Sequence, residues 1–417
     1  MRVAVVDGVS SGRFLVQELI DRGAECVHVR SRPRLHPYLE STLRPQDYVA
    51  DLGYEPDLGT LVRRLRELRV DRVVTGNEPG VQLADRLADA LGLPGNDLAV
   101  VGARQSKHLM AETLRAAGLD APRGARVESA AEAVAWFEAG GGATVTVKPI
   151  HGAGSDQVRF CRTADEVAAR ATDILTARNH FGDVHRAVLI QEHLTGREFY
   201  TNTVSVDGVH VIAETWVYRK RVTPGGAPLF DYEEPADLTS PDTLRVHEYA
   251  RAALTALGVR NAAGHSEIML TARGPVLLDP GARLGGGVLP WVTAKFLAYS
   301  HAGLMAESIV RPAAVRALAG DLPRAWDRPI RYLSLINHTG GLARRPDWTE
   351  WINSLPTVLA MATPLTEGVP LPATCDLITS PGFVYLSADT MAAIERDYEA
   401  IRAWELGDPY ILPGSAA

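Results

Sequence analysis

The sequence is poor in cysteine, with three residues of this type in 417. Cys26, Cys161 and Cys375 lie far apart and form no CxxC pair. This pattern predicts neither a disulfide framework nor a zinc site, and it favours a reducing, cytoplasmic setting. The chain also lacks an apolar run long enough to cross a bilayer, and its N-terminus has no apolar signal core. We therefore expect a protein that does not act at a membrane.

An excess of positive charge is missing as well, since the net charge is −7. A nucleic-acid partner is therefore not expected. The P-loop pattern GxxxxGK[ST] is absent, and Ser10-Ser11 interrupts the glycine spacing GxGxxG of a nicotinamide-dependent dehydrogenase. With 46% hydrophobic and 22% charged residues, the composition is that of a soluble globular enzyme.

Strands and helices alternate over the first hundred residues. The predicted strands are VAVVD (3–7), ECVHVRS (25–31) and RVDRVVTG (69–76), with amphipathic segments between them. This alternation predicts a small parallel α/β domain over residues 1–100. GNEPGV follows the last of these strands, at the edge where open α/β sheets usually bind ligands.

The remainder is predicted to form two α+β units, residues 101–195 and 196–417. Asp207-Gly208 separates two alternating segments, REFYTNTVSV and VHVIAETWVY, and predicts a β-hairpin. Residues 219–242 carry many prolines and glycines without periodicity, which is typical of a loop. That loop is either a lid over a site or a mobile surface loop. Short strands are predicted at YLSLINH, TCDLITS and GFVYLS.

Two carboxylates stand in a second apolar hairpin, formed by SEIML and PVLLD. If its turn centres on Arg273, Glu267 and Asp279 face each other with Cβ atoms ~5 Å apart, which is unfavourable unless a proton or a cation is shared. Mg²⁺ or Mn²⁺ suits such a pair when phosphate is another ligand. The alternative is a solvent-exposed acid or a register that differs by one residue. Arg283, just beyond, has a planar fork suited to a carboxylate or phosphoryl group, the alternative being a surface arginine.

Motifs that precede this hairpin in the chain have features suited to binding a nucleotide. VKPIHGAGS places Lys148 at a strand end before a Gly-rich loop that can cover phosphates, although a plain turn is the alternative. Lys107, in RQSKHLM, is by itself an ordinary solvated lysine. The extended segment at Gln191 can offer backbone groups to an adenine edge, and Glu198 can accept from ribose hydroxyls. Each of these two is, by itself, a solvated polar residue.

The order of these motifs resembles that of the ATP-grasp superfamily. RQSKHLM, VKPIHGAGS, IQEHLTGREF, the long loop and SEIML…LLDPGARLGGG span about residues 105–287. The last of them is most similar to the L-amino acid ligases, which join free amino acids into dipeptides. The resemblance implies an α/β ATP-grasp fold with an N-terminal Rossmann-like parallel-sheet domain and two α+β subdomains that grip ATP.

The resemblance also implies site residues. They are Lys107 and Lys148 for phosphates, His151, Gly152, Ala153, Gly154 and Ser155 for the covering loop, Gln191, Glu192 and Leu194 for adenine, Glu198 for ribose, Glu267 and Asp279 for one or two Mg²⁺ ions, and Arg283 for the acyl phosphate. Lys148 and Arg283 would take part in the reaction itself. Many relatives have Glu in place of Asp279 and Asn in place of Gly281, and the shorter acid puts the number of metal ions in doubt.

These roles imply an ATP-dependent ligase that activates a carboxylate as an acyl phosphate and joins it to an amine, in natural-product or antibiotic biosynthesis. Its partners would be two small molecules, a carboxylate donor and an amine acceptor of the amino-acid type, and a homodimer is left open. The alternatives are an ATP-grasp ligase for a nucleotide precursor or carrier-bound acid, and a non-catalytic ATP sensor. His265 and His301 are candidates for assisting the amine, and Trp216 and Trp291 for lining an apolar pocket; a structural role is the alternative for each.

Overall fold

The computed structural model describes residues 1–150, 158–177, 184–223, 228–286, 289–297, 299–320, 326–377 and 379–415. Within these ranges the chain forms two four-stranded sheets, one eight-stranded sheet and one two-stranded sheet. The predicted α/β class, with one parallel sheet followed by antiparallel sheets, is confirmed. No helix in the described part of the chain is long and apolar enough to cross a membrane.

The first sheet is parallel and has the strand order β3-β2-β1-β4. Its elements are β1 (Arg2–Val6), α1 (Gly12–Asp21), β2 (Glu25–Arg30), α2 (Pro37–Ser41), β3 (Ala50–Tyr54), α3 (Leu58–Glu67), β4 (Arg72–Thr75) and α4 (Val81–Leu91). Four consecutive apolar residues of β1 are fully buried, as expected for a central parallel strand. The strand order reverses between β1 and β4, and a crevice for ligands forms at such a point.

The second sheet is antiparallel, with the order β5-β8-β6-β7. Its elements are α5 (Lys107–Ala116), β5 (Gly124–Val127), α6 (Ala130–Ala139), β6 (Val145–Pro149), β7 (Arg159–Cys161), α7 (Ala164–Thr176) and β8 (Val188–Glu192). Apolar residues of α6 and α7 and of the strands share one buried cluster. The sheet therefore buries one face beneath these two helices.

The third sheet has eight antiparallel strands in the order β13-β12-β9-β10-β11-β14-β18-β16. The elements of this part are β9 (Arg197–Val206), β10 (Val209–Val222), β11 (Pro228–Pro235), α8 (Pro241–Ala256), β12 (Ala262–Thr271), β13 (Gly274–Asp279), α9 (Pro290–Leu297), α10 (His301–Val310), α11 (Pro312–Arg316), β14 (Ile330–Ser334), β15 (Gly341–Leu342), α12 (Thr349–Asn353), β16 (Val358–Ala362), β17 (Pro370–Leu371), β18 (Phe383–Ser387) and α13 (Met391–Glu405). β15 and β17 pair separately.

The hairpin predicted at Asp207-Gly208 is confirmed. Both residues have positive φ, 53° and 83°, as the two central residues of a type I′ turn require. β9 ends at Val206 and β10 begins at Val209.

The long loop predicted over residues 219–242 is wrong for most of its length. β10 continues to Val222, and β11 occupies Pro228–Pro235 beside it, so the two strands form a hairpin. A register shift between Arg219 and Lys220 disrupts the alternation that a strand prediction needs. Residues 224–227 lie outside the described residues. A lid function for this segment stays a prediction.

The strand predicted at TCDLITS is also wrong within its described residues. Thr379 donates its backbone N–H to Asp376 Oδ1 at 2.8 Å and accepts from the backbone N–H of Cys375 at 2.9 Å. These local side-chain hydrogen bonds stabilise a turn, which competes with strand pairing.

The N-terminal unit packs onto the large sheet. Leu15 and Leu19 of α1 share a buried cluster with Met305 of α10 and Val204 of β9. The cluster therefore places α1 against α10, which packs on the large sheet. A buried ion pair also links α4 to the segment before α5, since Arg104 Nη2 is 2.7 Å from Asp85 Oδ2 of α4.

Candidate active site

The two acids of the β12–β13 hairpin are direct cross-strand partners, since Glu267 pairs with Asp279. The predicted centre of the turn is wrong, because Thr271 pairs with Gly274 and two residues make the turn. A register shift beside Glu267 leaves Leu278 as an extra residue on β13. Because of this bulge, Glu267 and Asp279 lie directly opposite each other. Bulges commonly reorient side chains in this way at functional sites.

Lysines approach these acids from the second unit. Ser106 caps α5 by accepting from the Leu109 backbone N–H at 3.4 Å, so Lys107 is the first helical residue. Its Nζ lies 3.2 Å from Asp279 Oδ1. Lys148, at the end of β6, is buried, and burial together with the charge of Lys107 lowers its pKa to about 8. The structure thus brings together residues that the sequence separates by more than a hundred positions.

Glu267 stays ionised in this setting. Burial acts to raise its pKa, but the His265 ring and the Lys220 ammonium outweigh it and hold the pKa at about 2. His265 Nε2 is 3.8 Å from Glu267 Oε1. The carboxylate is therefore charged over the whole physiological range and can act as a hard ligand.

A buried hydrogen-bond chain orients the His265 ring. Asn202 donates its amide to Glu214 Oε1 at 2.8 Å, and Trp216 Nε1 donates to the other oxygen of Glu214, also at 2.8 Å. The amide oxygen of Asn202 consequently faces His265 Nδ1, at 2.8 Å. Nδ1 must carry the proton in that contact, so Nε2 points towards Glu267.

His301 and Trp216 take structural positions. His301 donates from Nε2 to the Thr203 carbonyl at 2.9 Å, and burial lowers its pKa to about 3. Trp216 is a residue of β10 and is fully buried. Trp291, in contrast, is half exposed.

The segment after β13 is shaped by a close backbone approach at Gly281. A Cβ atom there would lie 2.5 Å from the His265 carbonyl oxygen, so the Asn of many ATP-grasp relatives would not fit without a shift. Arg283 follows, and its Nε donates to Glu78 Oε2 at 3.0 Å. Glu78 comes from GNEPGV, directly after β4, so the parallel sheet contributes to the site at its carboxyl edge.

A further ion pair lies on the large sheet. Lys220 Nζ of β10 is 2.6 Å from Glu198 Oε1 of β9. Glu198 is predicted at the ribose, whereas Lys220 is predicted only at the start of the loop that could form a lid. Lys220 and Glu78 are thus site residues that sequence reasoning missed; the position of Glu78 after a strand end was a usable signal.

The predicted adenine residues lie at the C-terminal end of β8, an inner strand of the second sheet, and just after it. Gln191 of β8 is buried. The Glu192 side chain accepts from Arg123 Nη2 at 2.9 Å and from Arg273 Nη1 at 2.8 Å, and its backbone N–H donates to the Arg123 carbonyl. Leu194 follows directly. The covering loop His151–Ser155 lies outside the described residues, so its role stays a prediction.

A cavity of about 1380 Å³ opens between the three units. Its lining includes Asn77 and Glu78 from the first unit, Ser106 from the second, and Glu267 and Arg283 from the third. A space of this size accommodates a nucleotide and further small molecules at once.

The two carboxylates Glu267 and Asp279 suit a divalent ion that is also coordinated by phosphate and water. Glu267 and Asp279 are about one-fifth exposed, and they offer carboxylate oxygens, which Mg²⁺ prefers. In the described part of the chain no group of three or more His, Cys, Asp or Glu residues could hold a metal by itself. A bound Mg²⁺ would therefore need phosphate and water oxygens to complete its coordination, and magnesium usually binds nucleotide phosphates in this way.

The three sheets and the cavity between them form the ATP-grasp fold. In the crystal structure of an L-amino acid ligase from Bacillus licheniformis, 97% of the chain matches 96% of this one with a TM-score of 0.73 and 18% identity. An N5-carboxyaminoimidazole ribonucleotide synthetase in complex with ADP matches 97% of each chain with a TM-score of 0.70 and 14% identity. The resemblance inferred from the motifs is confirmed.

Sequence comparison adds a relative of nearly equal length. Dapdiamide A synthase from Enterobacter agglomerans is 27% identical over 423 residues, which cover 96% of this chain and 95% of that protein. An uncharacterized protein from Sinorhizobium fredii is 26% identical over 422 residues, 95% of this chain and 84% of the other. A scan of protein-family models gives no match.

Proposed function

We propose that this protein is an ATP-dependent carboxylate–amine ligase that joins two amino acids, or an amino-acid-like acid and amine, with release of ADP and phosphate. One observation carries the proposal: the opposed carboxylates Glu267 and Asp279 lie close to Lys107 and Lys148, and Glu267 lines the cavity together with Arg283. Paired acids with surrounding bases suit a metal-bound triphosphate, because the acids hold the metal and the bases neutralise the phosphates.

In this proposal Glu267 and Asp279 hold one or two Mg²⁺ ions, with Mn²⁺ as a substitute. The bound metal would withdraw charge from the phosphoryl oxygens when the substrate carboxylate attacks the γ-phosphorus. Lys107, which is paired with Asp279 in this structure, and the buried Lys148 would bind the phosphates and neutralise their charge. Gln191, Glu192 and Leu194 would hold the adenine, and Glu198 the ribose.

The first step forms a C–O–P bond and breaks the bond between the γ-phosphorus and ADP. Arg283 would hold the resulting acyl phosphate, and its ion pair with Glu78 fixes the direction of the fork. The amine then attacks the acyl carbon, the amide C–N bond forms, phosphate leaves, and the amine loses its proton to a base or to water.

Two features of the chain support an amino-acid substrate over a nucleotide precursor. The similarity to dapdiamide A synthase extends over 96% of this chain at the sequence level. The similarity to the ribonucleotide synthetase, at 14% identity, is one of fold. A ligase for a nucleotide precursor or carrier-bound acid remains the second candidate, because its fold is the same.

The test measures ADP release with Mg²⁺-ATP and a panel of amino acid pairs, with mass spectrometry of the amide product. We expect ADP release that depends on both an acid and an amine, and an equimolar amide. A chain that responds to nucleotide-precursor acids but to no amino acid pair would overturn the substrate class. ATP binding without turnover under every condition would instead identify an ATP sensor.

A further inference from the structure

A third carboxylate lies on the same face of the large sheet as the paired acids, and the proposed reaction does not use it. Glu233, on β11, is 7% exposed and lines the cavity. The strand register connects it to the site: Glu267 pairs with Tyr200, and Tyr218 on the next strand pairs with Glu233. Glu233 in turn pairs with Tyr332.

Aromatic rings surround this carboxylate. The ring centroids of Tyr200 and Tyr218 are 4.8 Å apart on one side of Glu233, and those of Tyr332 and Phe383 are 5.2 Å apart on the other. Tyr200, Tyr218, Tyr332 and Phe383 all line the cavity together with Glu233. The Tyr200 hydroxyl acts to lower the pKa of the Glu233 carboxyl.

The ammonium group of Lys220 acts on Glu233 but is already paired with another acid. Burial raises the pKa of Glu233 to about 8, although the Tyr200 hydrogen bond and the charge of Lys220 act against that rise. The Lys220 ammonium lies 2.6 Å from Glu198 and 4.1 Å from the centroid of the Phe230 ring, so Glu198 balances its charge. A second cation beside Glu233 would remove an otherwise unfavourable burial.

A carboxylate within a ring of tyrosines is the chemistry that recognises an ammonium group. The carboxylate supplies the opposite charge, and the faces of the aromatic rings attract the cation. A neutral or anionic group in this place would bring no opposite charge to the buried acid. The pocket therefore favours a positively charged ligand over an apolar one of the same size.

We infer that Glu233, within the ring formed by Tyr200, Tyr218, Tyr332 and Phe383, is a specificity residue that binds an ammonium group of a substrate. The inference rests on the proposed ligase function. Three strand spacings of about 4.8 Å separate β12 from β11, and Glu233 is offset by two residues along the strand, so the backbones of Glu267 and Glu233 lie roughly 16 Å apart. Side chains from both ends shorten that span, and an amino acid can place its carboxylate at the metal end and its ammonium at Glu233.

The test compares an acid that carries an ammonium group with the same acid lacking it, in wild type and in Glu233→Gln. Wild type should prefer the ammonium form, and the variant should lose the preference through an increase in KM with kcat less affected. The loss of kcat/KM should be about 30-fold or more, as for truncation of a buried charge pair. Glu233→Asp, which keeps the charge, should retain part of the preference.

Two pairs of substrates show whether Glu233 binds the α-ammonium or a side-chain ammonium. One replaces the α-ammonium by hydrogen, and the other replaces lysine by norleucine, which removes a side-chain ammonium. Glu248→Gln, an exposed change on α8, is the matched control and should leave both preferences unchanged. Thermal unfolding of each variant verifies that it is folded.

The outcomes distinguish the two proposals. If wild type releases ADP with amino acids but treats ammonium and desamino acids alike, the role of Glu233 is overturned and the ligase function stands, whether or not the variants fold. The same conclusion follows if Glu233→Gln keeps the wild-type preference. If wild type releases no ADP with any acid and amine, the ligase function itself fails.

Discussion

Glu267 and Asp279 face each other across β12 and β13, although the pairs nearer the turn follow a register offset by one residue. The extra residue Leu278 absorbs that offset. Two carboxylates in direct opposition repel each other in a ligand-free hairpin. Lys107 and His265 lie beside the pair and offset part of this repulsion, an arrangement that suits the proposed metal site.

The first prediction concerns this pair. Glu267→Gln and Asp279→Asn should each lower kcat for ADP release by about 100-fold or more, since each removes a charge that stabilises the transition state. The fold should persist, because the substitutions relieve like-charge repulsion. Steady-state ADP release and nucleotide titration by calorimetry measure the two effects. A variant with more than a tenth of the wild-type kcat would contradict the assigned role.

The second prediction separates two adjacent basic residues of β10. Lys220 pairs with Glu198 close to Glu267, whereas Arg221 Nε is 2.6 Å from Asp231 Oδ2, on the other side of the sheet. Lys220→Met should lower kcat/KM for ATP by about tenfold or more, because it removes a cation near the proposed phosphates. Arg221→Met should change kcat/KM for ATP by less than about threefold. Equal effects of the two changes would show that the basic segment acts as a whole.

The third prediction concerns the attachment of the N-terminal unit. Arg104 is fully buried, and it donates to Asp85 Oδ2 at 2.7 Å and to the Leu257 carbonyl at 2.8 Å. Arg104→Met leaves Asp85 as a buried charge without its partner, which should lower the free energy of unfolding by about 3–5 kcal/mol. Urea unfolding measures this change. The double variant with Asp85→Leu should recover part of the loss; no recovery would show that the Leu257 contact dominates.

The fourth prediction concerns stability at acid pH. Burial lowers the pKa of His210 to about 4, and its ring is held by Ser205 Oγ at 2.8 Å and Thr255 Oγ1 at 3.0 Å. Its pKa in the unfolded chain is about 6.5, so between pH 6.5 and 4 the unfolded state binds the proton and the folded state does not. The free energy of unfolding should therefore fall as pH falls through this window, by roughly 1–3 kcal/mol for this residue.

Urea midpoints at several pH values, for wild type and His210→Gln, measure that contribution. The difference between the two proteins should shrink as the pH falls from 6.5 towards 4. A difference that is constant with pH would show that His210 remains protonated in the folded protein.

Much of the fold follows from local sequence pattern. The alternation of strands and helices predicts the parallel sheet, and Asp207-Gly208 predicts its hairpin, because such signals depend on neighbouring residues. Glu267 and Asp279 could be paired from the sequence because one short hairpin joins them. The order of the ATP-grasp motifs then connects Lys107 and Lys148 to that pair.

Tertiary structure decided the rest of the site. Lys220 and Glu233 lie on two strands whose alternation of side chains is disrupted by a bulge. For that reason the sequence pattern of this segment predicted a loop instead of strands. Glu78 reaches Arg283 only because α1 and α10 pack the parallel sheet against the large sheet. Register across eight strands and the docking of one unit on another depend on long-range packing, and no local pattern encodes them.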